Sequence, residues 1–175
     1  MLRDSGPCIR VVCKLRSGDS DVEALFRALE AGEWKLAGPK LSKGEFEAEI
    51  LSSSLEGDEV IFSLRSANPE VLEDFSRAAI RECWYIEVHY HLRAEAAEKA
   101  AENLGIKLGE KRVFRIKEFG VQLKVESFPA ARALTISYRV GWGELNRNVM
   151  KKIHEKLINT KSPKSLLDRI MGWMK

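Results

Sequence analysis

An α+β fold, with antiparallel strands and helices packed on one side, is predicted by three observations on this 175-residue chain. Several segments alternate apolar and polar residues with period two, the mark of a half-buried strand. Between them lie segments whose apolar residues recur every three to four positions, the mark of a helix with one buried face. The connections are short and carry Gly, Pro, Asn or Ser, which favours elements that are neighbours in space.

Taken in order, Cys8 to Arg16 alternates, with Ile9, Val11, Cys13 and Leu15 on one side and Arg10, Lys14 and Arg16 on the other. Ser17-Gly18-Asp19-Ser20 breaks the strand, and Ser20 with Glu23 forms a capping box for a helix with Val22, Leu25, Phe26 and Leu29 on one face. Gly32 stops it. Glu45 to Leu51 alternates again, with Phe46, Ala48 and Ile50 inward and glutamates outward. Gly57-Asp58 is a turn, and Val60, Phe62 and Leu64 form the inward face of the next strand. Asn68-Pro69 opens a second helix, with Asn as cap and Pro in the first turn. Val71, Leu72, Phe75, Ala78 and Ala79 are its buried stripe. Trp84 to Leu92 is a strand with Ile86, Val88, Tyr90 and Leu92 inward.

This βαββαβ order is that of a ferredoxin-like unit. From Trp84 a similar progression starts again: an Ala-rich helix from Arg93 to Leu104, strands over 112–119, 121–127 and 134–140, and a helix over 144–160 with Leu145, Val149, Ile153 and Leu157 buried. A last short helix follows Ser162-Pro163. The expected organisation is a ferredoxin-like, acidic half over 1–92 and a second α+β half over 93–175, packed as one compact unit. The second half echoes the first in topology without sequence identity.

Charge is the strongest functional signal. Residues 1–106 carry 13 Lys/Arg against 20 Asp/Glu, a net of −7; residues 107–175 carry 16 against 6, a net of +10. Such asymmetry speaks to partners rather than to fold. The expected partner is RNA or another polyanion, held through Arg112, Arg115, Lys117, Lys124, Arg139, Arg147, Lys151, Lys152 and Lys156 by the release of condensed counterions. The outward strand positions of the first half carry Arg, Glu, His and Ser, so no aromatic RNA-recognition sheet is expected there.

Two further readings stand beside this one. An oligomeric assembly or adaptor subunit would dock the acidic half of one copy on the basic half of another. Its latch would be an amphipathic tail with Leu166, Leu167, Ile170, Met171, Trp173 and Met174. A metal-dependent enzyme would use the Glu-x-His-x-His row Glu87, His89 and His91, which share one face of a strand and offer suitable ligand types. Adjacent positions in that row lie roughly 7 Å apart, and Arg10 and Lys14 of the neighbouring strand face the same way, which disfavours a cation. Gly141-Trp142-Gly143 lacks the third glycine of a dinucleotide fingerprint and reads as a tight turn with a packed Trp142. No catalytic constellation and no cofactor are expected. Cys8, Cys13 and Cys83 form no CxxC pair and read as reduced thiols. With no signal peptide and no membrane-length apolar run, a cytoplasmic protein is expected, and the near-absence of glutamine leans toward a thermophilic source.

Overall fold

The computed structural model describes residues 8–16, 20–53, 59–64, 68–107, 109 and 112–158. The expected helix over the tail, with its docking residues, lies outside these residues, as do 17–19 of the expected strand break and the expected turn at Gly57-Asp58.

Among the described residues nine strands join in one sheet. They are β1 (Cys8–Leu15), β2 (Lys35–Ala37), β3 (Lys40–Lys43), β4 (Phe46–Ser53), β5 (Glu59–Leu64), β6 (Cys83–Arg93), β7 (Val113–Glu118), β8 (Val121–Phe128) and β9 (Ala133–Val140). Their order is β2-β3-β4-β5-β1-β6-β9-β8-β7, and every neighbouring pair is antiparallel. The helices are α1 (Ser20–Ala31), α2 (Pro69–Ala79), α3 (Ala94–Leu104), α4 (Trp142–Asn146) and α5 (Val149–Ile158). Strands β4-β5-β1-β6 with α1 and α2 reproduce the ferredoxin-like arrangement that the sequence predicts.

The echo in the second half is equally plain. Setting aside the short β2, the order reads the same from either edge: β1 is flanked by β5, β4 and β3, and β6 by β9, β8 and β7. In the helix layer α1 packs on α2, α2 on α5, and α5 on α3, which is again the same read from either side. Each half is thus a strand, a helix, a meander and a closing helix, and the two join through the β1–β6 ladder centred near Val11 and Val88. Strand β6 completes the ferredoxin-like unit and also begins the second half.

The helices cover one face. Ile9, Val11, Cys13 and Leu15 of β1, Val60, Phe62 and Leu64 of β5, and Ile86, Val88, Tyr90 and Leu92 of β6 are buried beneath them. Trp34, Phe75 and Phe62 form an edge-to-face chain, with ring centroids 5.2 and 4.9 Å apart, and the Trp34 indole N–H donates to Asp74. Helix α2 starts as expected, with Asn68 Oδ1 accepting from the Glu70 amide at 2.9 Å. Phe119 and Gly120, with φ of 52° and 82°, form the two-residue turn of the β7–β8 hairpin.

Two expectations are corrected, and two strands are added. The helix over 144–160 is broken: Asn148 takes φ 57°, so α4 and α5 are separate. β2 and β3 are strands that no periodicity announced, because they span only three and four residues, with tight turns at Gly38 between them and at Gly44 before β4. Trp142 is not packed; it is 46% exposed.

Candidate functional site

Among the described residues no helix covers the other face of the sheet. Its character follows from strand parity and register. Arg115 pairs with Lys124, Lys124 with Ser137, Ser137 with His89, and His89 with Arg10. These five side chains form one row across β7, β8, β9, β6 and β1. At about 4.8 Å per strand the row is about 19 Å long. Lys117 lies next to Arg115 on the same face of β7, and His91 and Thr135 face each other one step along β6 and β9. The row continues over β5, β4 and β3 as Ser63, Glu49 and Lys40, so it changes from cationic to mixed and acidic.

Arg115, Lys117 and Lys124 are exposed, and among the described residues no carboxylate lies within ion-pair distance of them. Arg139 is engaged. Its guanidinium lies 4.6 Å from the centre of the Tyr85 ring and donates to Glu87 Oε2 at 2.9 Å. Arg112 lies over Phe114 at 5.0 Å.

The remaining cations sit with the helices. Arg147 caps α4 and lies 3.6 Å from Glu144, Lys151 is 3.8 Å from Glu70, and Lys156 bonds Glu118 at 2.7 Å. Lys152 is exposed. The nine expected polyanion-binding residues therefore divide between two surfaces. In the sheet group Arg115, Lys117 and Lys124 face no carboxylate among the described residues, whereas Arg139 bonds Glu87 and Arg112 lies over Phe114; in the helix group three of the four cations face carboxylates. The same holds in a cleft of about 260 Å³ between α2 and α5, lined by Glu70, Glu73, Asp74, Arg77, Asn148 and Lys151. There Arg77 contacts Glu73, and Glu73 also accepts the Lys151 amide at 3.1 Å.

Glu87, His89 and His91 do share a face, as parity requires. Glu87 Oε1 bonds His89 Nε2 at 2.7 Å, and the two imidazoles stack at 6.4 Å between centroids. Both Glu87 oxygens are thereby occupied, and among the described residues no three His, Cys, Asp or Glu side chains gather as a metal site. Partial burial raises the Glu87 carboxyl, but hydrogen bonds from Arg139 and His89 outweigh it and hold the group below its ordinary range. His91 is held below its ordinary value by burial, with the charges of Arg10 and His89 adding to the effect.

The Gly141 amide, a candidate for anion contact, donates to Glu144 Oε1 at 2.7 Å, so a carboxylate fills that position. Cys13 is pushed well up by its hydrogen bond with Cys83 and by burial, which leaves it an inert core thiol. No helix among the described residues is long and apolar enough to cross a membrane.

Trp84 and Trp142 are exposed, against a sequence reading that gave Trp84 no functional role and expected Trp142 to be packed. Trp84 is 66% exposed, because a register shift at Lys14/Leu15 pairs Leu15 with Cys83 and leaves Trp84 outside the alternation.

No family model matches the chain, and no curated protein matches it. Among solved structures, it is similar to a protein assigned as a C-terminal regulatory domain of aspartate kinase from Porphyromonas gingivalis W83. The identity is 12% and the TM-score 0.28, over 87% of this chain and 94% of that one.

Proposed function

We propose that the chain is a non-enzymatic binding protein that holds RNA or another polyanion on the helix-free face of its sheet. The observation that carries this reading is the row Arg115–Lys124–Ser137–His89–Arg10, flanked by Lys117. Its cations stand on a rigid sheet, so little order has to be imposed on the backbone when a ligand binds. Arg115, Lys117, Lys124 and Arg10 contact phosphates and release counterions, while Ser137 and Thr135 supply hydroxyls for hydrogen bonds. Glu49 and Glu47 on the β4 side repel a polyanion, which confines it to the β7-to-β1 part of the face.

The test is a fluorescence-anisotropy titration of the full chain with a labelled 20-nucleotide oligo(U) and with heparin. Arg115→Ala/Lys117→Ala/Lys124→Ala should abolish most of the affinity for both. Lys152→Ala, on the helix side, should leave it unchanged. A wild-type chain that binds neither polymer at 20 mM salt removes the reading, as does a loss equally large in the Lys152 variant.

A further inference from the structure

Among the described residues six large apolar side chains are exposed, and three of them, Trp84, Trp142 and Phe119, lie at one end of the sheet. The topology brings them there. Trp84 stands where β6 begins, and Trp142 follows the end of β9, where Val140 pairs with Ile86. Phe119 is in the β7–β8 turn, and β8 runs antiparallel beside β9, so that turn flanks the same end.

Arginines lie beside Trp84, Tyr85 and the Phe119-Gly120 turn at this end. The Trp84 indole N–H donates to the Arg16 carbonyl at 3.1 Å, and Arg16 Nε donates back to the Cys83 carbonyl at 3.5 Å. Tyr85 carries the Arg139 guanidinium on its ring face. Arg147 extends over the Phe119-Gly120 turn, with Nη1 3.5 Å from the position a Gly120 Cβ would take. Trp84 is thus fixed by its one polar atom while its ring faces remain in water. A tryptophan held rigid and exposed gains nothing for the core; it is suited to receive a flat apolar surface.

We infer that this end of the sheet is a stacking platform for unpaired bases of single-stranded RNA. Trp84 and Trp142 take base faces, and Arg16 and Arg147 lie beside the backbone. The inference rests on the polyanion reading and names its substrate class: a strand that follows the cationic row by its phosphates and turns its bases onto the indoles. Aromatic faces interleaved with cations are what sequence-tolerant single-strand binding requires, since every base offers a π-face. Duplex RNA, whose bases are stacked internally, has nothing to offer the indoles.

The experiment separates stacking from charge by comparing oligo(U), a 20-base-pair RNA duplex and heparin, which has no bases. Trp84→Ala and Trp142→Ala should each weaken oligo(U) binding by roughly tenfold and leave heparin affinity and the salt slope unchanged. Trp84→Phe should recover part of the loss, and oligo(U), not heparin, should quench the intrinsic tryptophan fluorescence. Unchanged oligo(U) affinity in both alanine variants, or a preference for the duplex, overturns the platform while leaving the charged face standing. If sedimentation shows a wild-type dimer that Trp84→Ala converts to a monomer, the aromatic end is a self-association surface and the inference fails. Binding to none of the three polymers removes both this inference and the reading beneath it.

Discussion

Glu87→Gln should tighten polyanion binding. The carboxylate lies beside the cationic row, and its oxygens hold Arg139 at 2.9 Å and His89 at 2.7 Å. Its acidity is increased by those partners despite its partial burial, so at pH 7 the substitution removes a full negative charge. The amide keeps one acceptor oxygen and nearly the same shape, so the sheet is undisturbed. Arg139, exposed over much of its surface, then becomes available to phosphate. One added phosphate contact on a single strand steepens the slope of log K against log salt by about 0.7, equivalent to roughly fivefold in affinity at 0.1 M salt. The assay is the oligo(U) titration repeated from 50 to 300 mM KCl. A variant that binds more tightly at low salt, with the advantage shrinking as salt rises, is the expected result. Most substitutions in a binding face weaken binding, so the direction is itself diagnostic. A weaker variant, or a parallel salt dependence, would refute the assignment of this face.

Acidification from pH 7.5 to 5.5 should also tighten binding, as His91 acquires charge beside Arg10 and Thr135. His91 is held below its ordinary value, so the folded chain takes up its proton later than the unfolded chain does. The stability it contributes is therefore complete above about pH 6.5 and is lost as pH falls through the depressed value; His91→Asn should flatten both the binding profile and the denaturation midpoint over that range. Gly32→Ala should destabilise by about 1–3 kcal/mol in urea denaturation, since a Cβ there would stand 2.9 Å from the Ala78 Cβ at the approach of α1 to α2. Trp34→Ala should cost about 3–5 kcal/mol, because it empties a fully buried site and removes the edge-to-face contact with Phe75.

Much of this architecture is legible before any coordinates, and the reasons are local. Alternation at Ile9, Val11, Cys13 and Leu15 identifies which face of β1 is buried, and one buried face fixes the register of a strand. Asn68-Pro69 states a helix start in its own chemistry. The failures are equally physical. β2 and β3 are too short for a period to be read, although both are held in tight hairpins through Gly38 and Gly44. The break at Asn148 is invisible to helical spacing, because Leu145, Val149 and Ile153 keep that spacing across it. Trp84 shares parity with Ile86 and Val88, which places it inward by alternation alone; the bulge gives that position to Cys83 instead. Charge asymmetry counts the cations, but it does not show that Arg147, Lys151 and Lys156 face Glu144, Glu70 and Glu118.

The repeated topology sharpens the functional argument. The two halves supply equivalent strands to the open face, yet decorate them differently. β4 carries Glu47 and Glu49 where its counterpart β8 carries Gln122 and Lys124, and β3 carries Lys40 and Ser42 where β7 carries Arg115 and Lys117. Burial selects for the same inward pattern in both halves, because each must cover the same kind of helix. It places no demand on the outward positions, which are free to diverge. A frame symmetric in its core and polarised on its surface can receive a charged chain over one half only, and the acidic half then sets where that chain stops. Exchanging Glu47 and Glu49 for lysine should therefore lengthen the oligo(U) site size measured by stoichiometric titration. A site size that stays constant would place the ligand elsewhere than across these strands.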